Sequence, residues 1–93
     1  MDRAFQWDAA KNAQNVRKHG IDFEDAIGVF DLDPLVSRSD RFGEARHIAV
    51  GPLASGRIIT VVFTIRGEVT RIISARRARK NEEIPYRDAL AGR

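Results

Sequence analysis

Two groups of basic side chains in this 93-residue sequence have the types and spacing that chemistry on a phosphate requires. Lys18 and His19 are adjacent, and the segment 76–80 contains three arginines and a lysine. Histidine is the side chain whose ordinary pKa lies nearest neutrality, so it can transfer protons at physiological pH. Arginine holds a phosphate through a planar, bidentate fork. These residues are therefore the first candidates for a functional site.

The charge distribution points to a polyanionic partner. Residues 1–45 contain six Lys or Arg against nine Asp or Glu, a net charge of −3, whereas residues 46–93 contain ten against four, a net charge of +6. Thirteen of the sixteen basic residues are arginine. A basic half of this kind indicates nucleic acid as the partner. A solvated basic surface without a ligand is the alternative interpretation.

The two histidines each have a structural alternative to catalysis. His19 falls in the last turn of a predicted helix, where a positive charge opposes the helix dipole. His47 falls at the start of a predicted strand, as an ordinary surface residue would. The two histidines are 28 positions apart in a chain without cysteine, so they make a weak case for a metal site. No phosphate-binding loop or nucleophile elbow is present in the sequence. We expect neither metal nor cofactor.

Length and composition predict one domain spanning residues 1–93 in the cytoplasm. The chain has 43% hydrophobic residues and no cysteine, as expected for a protein of a reducing compartment. No signal-peptide apolar region follows Met1. The longest apolar run, Ile58 to Ile65, has eight residues including two threonines, far fewer than a membrane span needs.

The first third of the chain predicts a short strand and a helical hairpin. The strand covers residues 4–6, and the first helix covers residues 8–19, capped by Asp8 and stopped by Gly20. Its thin apolar stripe (Ala9, Ala13, Val16) predicts that it lies over a sheet. The second helix begins at Asp22 and ends at Asp33-Pro34, and its predicted apolar face follows i, i+3, i+4 and i+7 spacing: Phe23, Ala26, Ile27, Phe30.

The remainder predicts an antiparallel meander and a last helix, giving an α+β domain with its helices on one face of the sheet. The predicted strands are Leu35–Ser39, His47–Pro52, Arg57–Arg66 and Val69–Ala75, with a polar turn at 40–44. A helix over residues 79–90 contains Pro85, which should kink it or delay its start. In the last strand Ser74 and Arg76 share one face and Arg77 the other, which makes Arg76 the better cleft candidate.

Two blocks of sequence resemble the BrnT toxins, the RNA-cleaving half of a bacterial toxin–antitoxin pair. The first is Phe5-Gln6-Trp7-Asp8-Ala9-Ala10-Lys11 with Asn15, Lys18-His19-Gly20 and Phe23; the second is Ile72-Ile73-Ser74-Ala75-Arg76-Arg77-Ala78. Glu44-x-Arg46 with Gly51, and the strand Val61 to Thr64, are similar as well. The resemblance implies a RelE- and ParE-like α+β fold, with two N-terminal helices and a C-terminal helix on a twisted antiparallel sheet of three to four strands.

The same resemblance implies a function and partners. BrnT toxins are metal-independent endoribonucleases held inactive by a co-encoded ribbon–helix–helix antitoxin, BrnA, and the complex represses its own promoter DNA. We therefore expect an RNA substrate, a BrnA-like partner, assembly of two toxins on an antitoxin dimer, and no membrane association. The antitoxin would cover Arg46 and Arg76 or lock them allosterically. A non-catalytic nucleic-acid-binding module, or a co-repressor subunit acting with a ribbon–helix–helix partner, is the alternative.

Site residues are carried over only where positions match. Arg76 and Arg46 would hold the scissile phosphate, and His19 would transfer a proton with electrostatic help from Lys18. Glu82 would serve as base only if its pKa were raised, whereas a helix amino terminus lowers it. Tyr86 would stack on a base, act as acid or simply pack. The candidate catalytic residues are Lys18, His19, Arg46, Arg76, Glu82 and Tyr86; the candidate RNA-binding residues are Arg71, Ser74, Arg77, Arg79 and Lys80.

Two positions depart from the family pattern. Arg79 stands where the family commonly has threonine, so the last helix loses a side-chain cap. Pro85 directly precedes Tyr86, which makes the placement of this tyrosine depend on how the helix accommodates proline.

Overall fold

The protein folds around one five-stranded sheet. The computed structural model describes residues 4–41 and 44–92. At residues 40, 41 and 44 it describes the backbone alone. The strand order is β1–β5–β4–β3–β2, where β1 is Ala4–Gln6, β2 Leu35–Arg41, β3 Glu44–Pro52, β4 Ile58–Arg66 and β5 Val69–Arg77. β1 pairs parallel to β5, whereas all the other pairings are antiparallel. The sheet therefore has five strands and is mixed, whereas an antiparallel sheet of three to four strands was expected.

The turn expected at 40–44 is shorter than predicted. β2 runs on to Arg41 and β3 begins at Glu44, so both strands extend into that segment. Residues 42 and 43, at its centre, lie outside the described residues.

Three α-helices flank the sheet: α1, Ala9–His19; α2, Phe23–Ala26; and α3, Lys80–Ala91. The caps of α1 are those expected, because the Asp8 carboxylate accepts from the amides of Ala10 and Lys11 at 2.8 and 3.1 Å, and Gly20 is left-handed with φ 71°. Asp22 caps α2 by accepting from the Glu24 amide at 2.9 Å. α1 and α2 thus form the predicted helical hairpin.

The second helix is tighter than its predicted 3.6-residue period. After Ala26 it continues as a 3₁₀ helix, Ile27–Asp31, with three residues per turn. The fully buried residues are consequently Phe23, Ala26 and Val29, three apart, whereas Ile27 and Phe30 are half-buried. This face packs with Ala49, Val61 and Phe63 of the sheet, and the Phe30 and Phe63 rings meet edge to face at 5.1 Å.

α1 contacts β5 through a polar residue, not through the predicted apolar stripe. Ala9, Ala13 and Val16 are exposed, and Asn15 is the buried residue of the helix. Its amide nitrogen donates to the carbonyls of Ala75 at 2.8 Å and Ile21 at 2.9 Å, and its oxygen accepts from the Ala75 amide at 3.1 Å. β1 pairs only with residues 69–71, so Asn15 satisfies backbone groups of β5 beyond the end of β1.

α3 lies on the face opposite α2, which corrects the expectation that the helices share one face. Ala49 and Gly51 point toward α2 and the 3₁₀ helix, whereas Ile48 and Val50, one residue along, line a pocket with residues of α3. Pro85 is accommodated inside α3, which begins at Lys80, so the proline does not delay the helix. It removes one backbone donor without ending the helix.

Candidate functional site

The space between α3 and the exposed face of the sheet forms a pocket that we call the arginine pocket. Its volume is about 420 Å³. Three of its lining residues are arginines and one is a carboxylate, so the pocket is net positive. It is lined by Ser39 of β2, Arg46 and Ile48 of β3, Val62 of β4, Ser74 and Arg76 of β5, and Arg79, Asn81 and Glu82 at the start of α3.

Arg76 and Glu82 form a bidentate ion pair in the wall of this pocket. Nη1 and Nη2 of Arg76 donate to the two carboxylate oxygens at 2.7 and 2.8 Å, and the side chains are 21% and 11% exposed. Oε1 of Glu82 also accepts from the Arg79 amide at 2.8 Å. Arg79 itself lacks the oxygen needed to cap the helix, so the expected loss of that cap is seen, and Glu82 satisfies the amide instead.

This ion pair determines the protonation state of Glu82. Hydrogen bonding from Arg76 and from the Arg79 amide lowers the pKa of Glu82 to about 2, against the opposing effect of burial. The Thr60 hydroxyl is buried nearby but makes no hydrogen bond of standard geometry to a described residue, so we attribute the low pKa mainly to Arg76. The same bond raises the pKa of Arg76. Glu82 is therefore ionised at neutral pH and is a weak base.

A second, smaller pocket adjoins the arginine pocket, and we call it the lysine pocket. Its volume is about 220 Å³. It lies between α1 and β5 and is lined by Lys11, Gln14, Asn15, Lys18, His19, Ile73 and Ser74. Ser74 lines both pockets, so a single side chain separates the lysines and His19 from the arginines.

A β-bulge and Asn15 shape the boundary between the pockets. Val62 pairs with Ser74 but Phe63 pairs with Ile72, so Ile73 is an additional residue in β5. Neighbouring side chains of a regular strand point to opposite faces, whereas a bulge allows Ile73 and Ser74 to line the same pocket. One residue further on, Asn15 holds α1 against Ala75.

The structure places seven of the eleven predicted site residues in these two pockets. Lys18 and His19 line the lysine pocket, Arg46, Arg76, Arg79 and Glu82 line the arginine pocket, and Ser74 lines both. Lys11, which belongs to the first block that resembles the BrnT toxins, also lines the lysine pocket.

The other four candidates line neither pocket. Tyr86 is buried, at 5% exposure. Arg71 is half-buried opposite Gln6 of β1, and Arg77 pairs with the core residue Ile59 at the exposed end of β5. Lys80 is exposed at the first position of α3.

His47 is not the ordinary surface residue that was expected. It is half-buried and stacks on the Phe63 ring, with the ring centroids 5.4 Å apart, on the sheet face opposite the arginine pocket. Sequence reasoning also missed three polar lining residues: Gln14, Ser39 and Asn81. Gln14 lies between Lys11 and Lys18 on one helix stripe, a spacing visible in the sequence, whereas the other two are placed by tertiary packing.

No cluster of three or more metal-ligating side chains occurs among the described residues. No helix within the described ranges is long and apolar enough to cross a membrane.

Comparison with known proteins assigns the chain and its fold to a class of ribonuclease toxins. Residues 7–82 match the family model described as "Ribonuclease toxin, BrnT, of type II toxin-antitoxin system". The crystal structure of the Brucella abortus ribonuclease toxin BrnT superposes with a TM-score of 0.72 at 31% identity, covering 85% of this chain and 100% of that one. No curated protein sequence gives a significant match.

The chain therefore belongs to the BrnT family of ribonuclease toxins of type II toxin–antitoxin systems. Membership confirms the resemblance seen in the two sequence blocks. It also implies an RNA substrate and an antitoxin partner.

Proposed function

We propose that this toxin is an endoribonuclease that cleaves RNA without a metal ion, by attack of a 2′-hydroxyl on the adjacent phosphorus. The new bond joins the 2′-oxygen to phosphorus and the bond from phosphorus to the 5′-oxygen breaks. The 2′-hydroxyl proton goes to a base and a proton is supplied to the departing 5′-oxygen. The products are a 2′,3′-cyclic phosphate and a 5′-hydroxyl. The observation that carries the proposal is the junction, at Ser74, of a three-arginine pocket with a pocket containing His19.

The arginine pocket supplies the charge that the crowded phosphate needs in the transition state. Arg46, Arg76 and Arg79 line it, and Arg76 is held in place by Glu82. A guanidinium group held in this way stabilises developing negative charge without reorganising. Arg76 has five N–H donors and uses one on each carboxylate oxygen of Glu82, which leaves others for a phosphate. We assign Glu82 to positioning Arg76, because a carboxyl with a pKa of about 2 is too weak a base for proton abstraction at neutral pH.

His19 is the proton-transfer residue in this proposal, and Lys18 adds positive charge beside it. Both line the lysine pocket, one side chain away from the arginines. Tyr86 is assigned no proton because its side chain is buried. Arg77 and Lys80 are exposed next to Arg76 and Arg79 in the sequence and would extend the basic surface along which RNA lies.

A BrnA-like ribbon–helix–helix antitoxin is the proposed inhibitor, binding two toxins per dimer and carrying the complex to promoter DNA. An arginine-rich pocket offers an acidic antitoxin segment an electrostatic partner. Co-expression with the neighbouring antitoxin gene followed by light scattering tests the assembly. A toxin that remains monomeric beside its folded antitoxin would contradict it.

The nuclease proposal is tested with purified toxin, single-stranded RNA and EDTA. We expect cleavage with cyclic-phosphate ends, and a loss of about 100-fold or more in rate for His19→Ala and Arg46→Ala. The matched controls are His47→Asn, on the other sheet face, and Arg57→Ala, in an exposed turn; both should retain activity.

The alternatives predict different outcomes of the same experiment. Strict dependence on added metal would overturn the mechanism. Salt-sensitive RNA binding without any cleavage would support the non-catalytic nucleic-acid module.

A further inference from the structure

The lysine pocket has a composition that proton transfer alone does not require. Lys11 and Lys18 lie seven residues, two helical turns, apart on one stripe of α1, with Gln14 between them. All three line the pocket, and the side chains of both lysines are at the exposed surface. Proton transfer by His19, with Lys18 beside it, does not require the Lys11 ammonium group two turns away.

We propose that the lysine pocket is a phosphate subsite, binding the phosphate next to the scissile one, so that the toxin recognises two consecutive phosphates of single-stranded RNA. This inference rests on the proposed function, since it takes the arginine pocket as the seat of the scissile phosphate. Lys11 and Lys18 supply the positive charge and Gln14 a neutral amide donor for the second anion.

The geometry of the boundary supports this assignment. Ser74 is the one residue that lines both pockets, so the two pockets are neighbours on the protein surface. Ser74 has a hydroxyl that can donate to either phosphate. Both sides of the boundary are fixed in place: Arg76 is held by Glu82 at 2.7 and 2.8 Å, and α1 is held by Asn15 at 2.8 and 3.1 Å from Ala75.

Lys11 is the residue with which to test the subsite, because the proposed reaction does not use it. The ligands are 2′-O-methyl oligonucleotides, which lack the attacking hydroxyl and cannot be cut: a dinucleotide with one phosphate and a trinucleotide with two. We expect wild-type toxin to bind the trinucleotide about tenfold more tightly, the effect of roughly one charge-assisted contact. Lys11→Ala should lose that tenfold advantage and bind the dinucleotide as the wild type does.

Two controls separate the subsite from general basic charge. Arg17→Ala removes an exposed cation of the same helix that lines neither pocket, and it should bind both oligonucleotides normally. The second control uses two modified trinucleotides, in each of which one of the two linkages is an uncharged methylphosphonate. For one of these two ligands, the tenfold advantage over the dinucleotide should disappear, and Lys11→Ala should have no further effect on its binding.

The inference is overturned if Lys11→Ala weakens both oligonucleotides equally, or weakens neither. These binding results do not depend on catalysis. If the toxin cuts RNA in EDTA but shows no Lys11-dependent preference for the second phosphate, the proposed function stands and the subsite is excluded. If the toxin shows the preference but never cuts RNA, the subsite stands and the proposed function is excluded.

Discussion

At the scale of single residues, Glu82 connects the candidate site to the fold. One of its carboxylate oxygens accepts from both the Arg76 guanidinium and the Arg79 amide, and the other accepts from Arg76. The same side chain thereby orients a cleft arginine and satisfies an amide at the start of α3. Changing it should affect stability and RNA binding together.

Glu82→Gln should destabilise the protein by about 2 kcal/mol at pH 7, because it leaves Arg76 without its counter-charge. The control is Glu83→Gln, whose partner Arg87 lies at 3.0 Å on the exposed helix surface and should contribute less than about 0.5 kcal/mol. Urea unfolding of the three proteins measures both values. Equal effects of the two substitutions would contradict the role given to Glu82.

The difference between wild type and Glu82→Gln should also depend on pH. The pKa of Glu82 is about 2 in the folded protein, below the ordinary 4.5, so its contribution is complete above about pH 5. This contribution should be lost as the pH falls from 5 toward 2, because the carboxylate then takes up a proton first in the unfolded and then in the folded protein. Urea unfolding at pH 7, 4 and 3 should therefore show a free-energy difference between wild type and Glu82→Gln that shrinks at each step. A difference that stays constant with pH would contradict the low pKa of Glu82.

Asn15 is a second residue whose removal should lower the free energy of unfolding substantially. Asn15→Ala leaves the Ala75 amide and carbonyl without their partner at the edge of β5, which should cost about 2–4 kcal/mol. Gln14→Ala, at an exposed position of the same helix, should cost less than about 0.5 kcal/mol. Thermal or urea unfolding compares the two; a mild Asn15→Ala would show that water replaces the amide at this edge.

At the scale of secondary-structure elements, the 3₁₀ helix lies unusually close to β3 at Gly51. A Cβ placed on Gly51 would be 2.8 Å from Cγ1 of Val29, a fully buried and β-branched side chain. Gly51→Ala should therefore destabilise the fold by about 1–3 kcal/mol through overpacking. Gly28→Ala, where a Cβ meets nothing within 4 Å, is the matched control and should be neutral or slightly stabilising. Calorimetry of both variants distinguishes crowding from a general intolerance of alanine.

Local signals predicted most of the elements. The strands, the Asp8 and Asp22 caps and the Gly20 stop are determined by nearby residues, so sequence patterns were sufficient. The parallel pairing of β1 with β5 was not predictable in this way, because it joins residues 65 positions apart (Ala4 with Val69). The predicted buried face of α1 was wrong because it was read from apolar side chains. The residue that faces the sheet is the polar Asn15, which is held there by hydrogen bonds.

The site was predictable to a similar extent. Residue chemistry pointed to Lys18, His19 and Arg76, and the structure places them in two adjoining pockets. The low pKa of Glu82 was expected from a helix terminus, but its main cause is an ion pair formed across six residues between β5 and α3. The exclusion of Tyr86 from both pockets also depends on how α3 packs, which no local pattern specifies.

At the scale of the whole molecule, charge asymmetry should make RNA binding sensitive to salt. If one phosphate occupies each pocket, the affinity for a long 2′-O-methyl single strand should fall as the salt concentration rises. Lys11→Ala should make the slope of log affinity against log salt shallower by about 0.7, the value for one lost phosphate contact. A titration from low to high salt measures both slopes, and identical slopes would argue against a second bound phosphate.

The pairing of the first strand with the last has a consequence for how the toxin is made. β1 needs β5, Asn15 needs Ala75, and the arginine pocket needs both β5 and α3, which are synthesised after β1 and α1. While β5 and α3 are still inside the ribosome, the emerged chain has neither a complete sheet nor a complete pocket. The nascent toxin is therefore expected to have no assembled arginine pocket until β5 and α3 have left the ribosome and packed on the earlier elements.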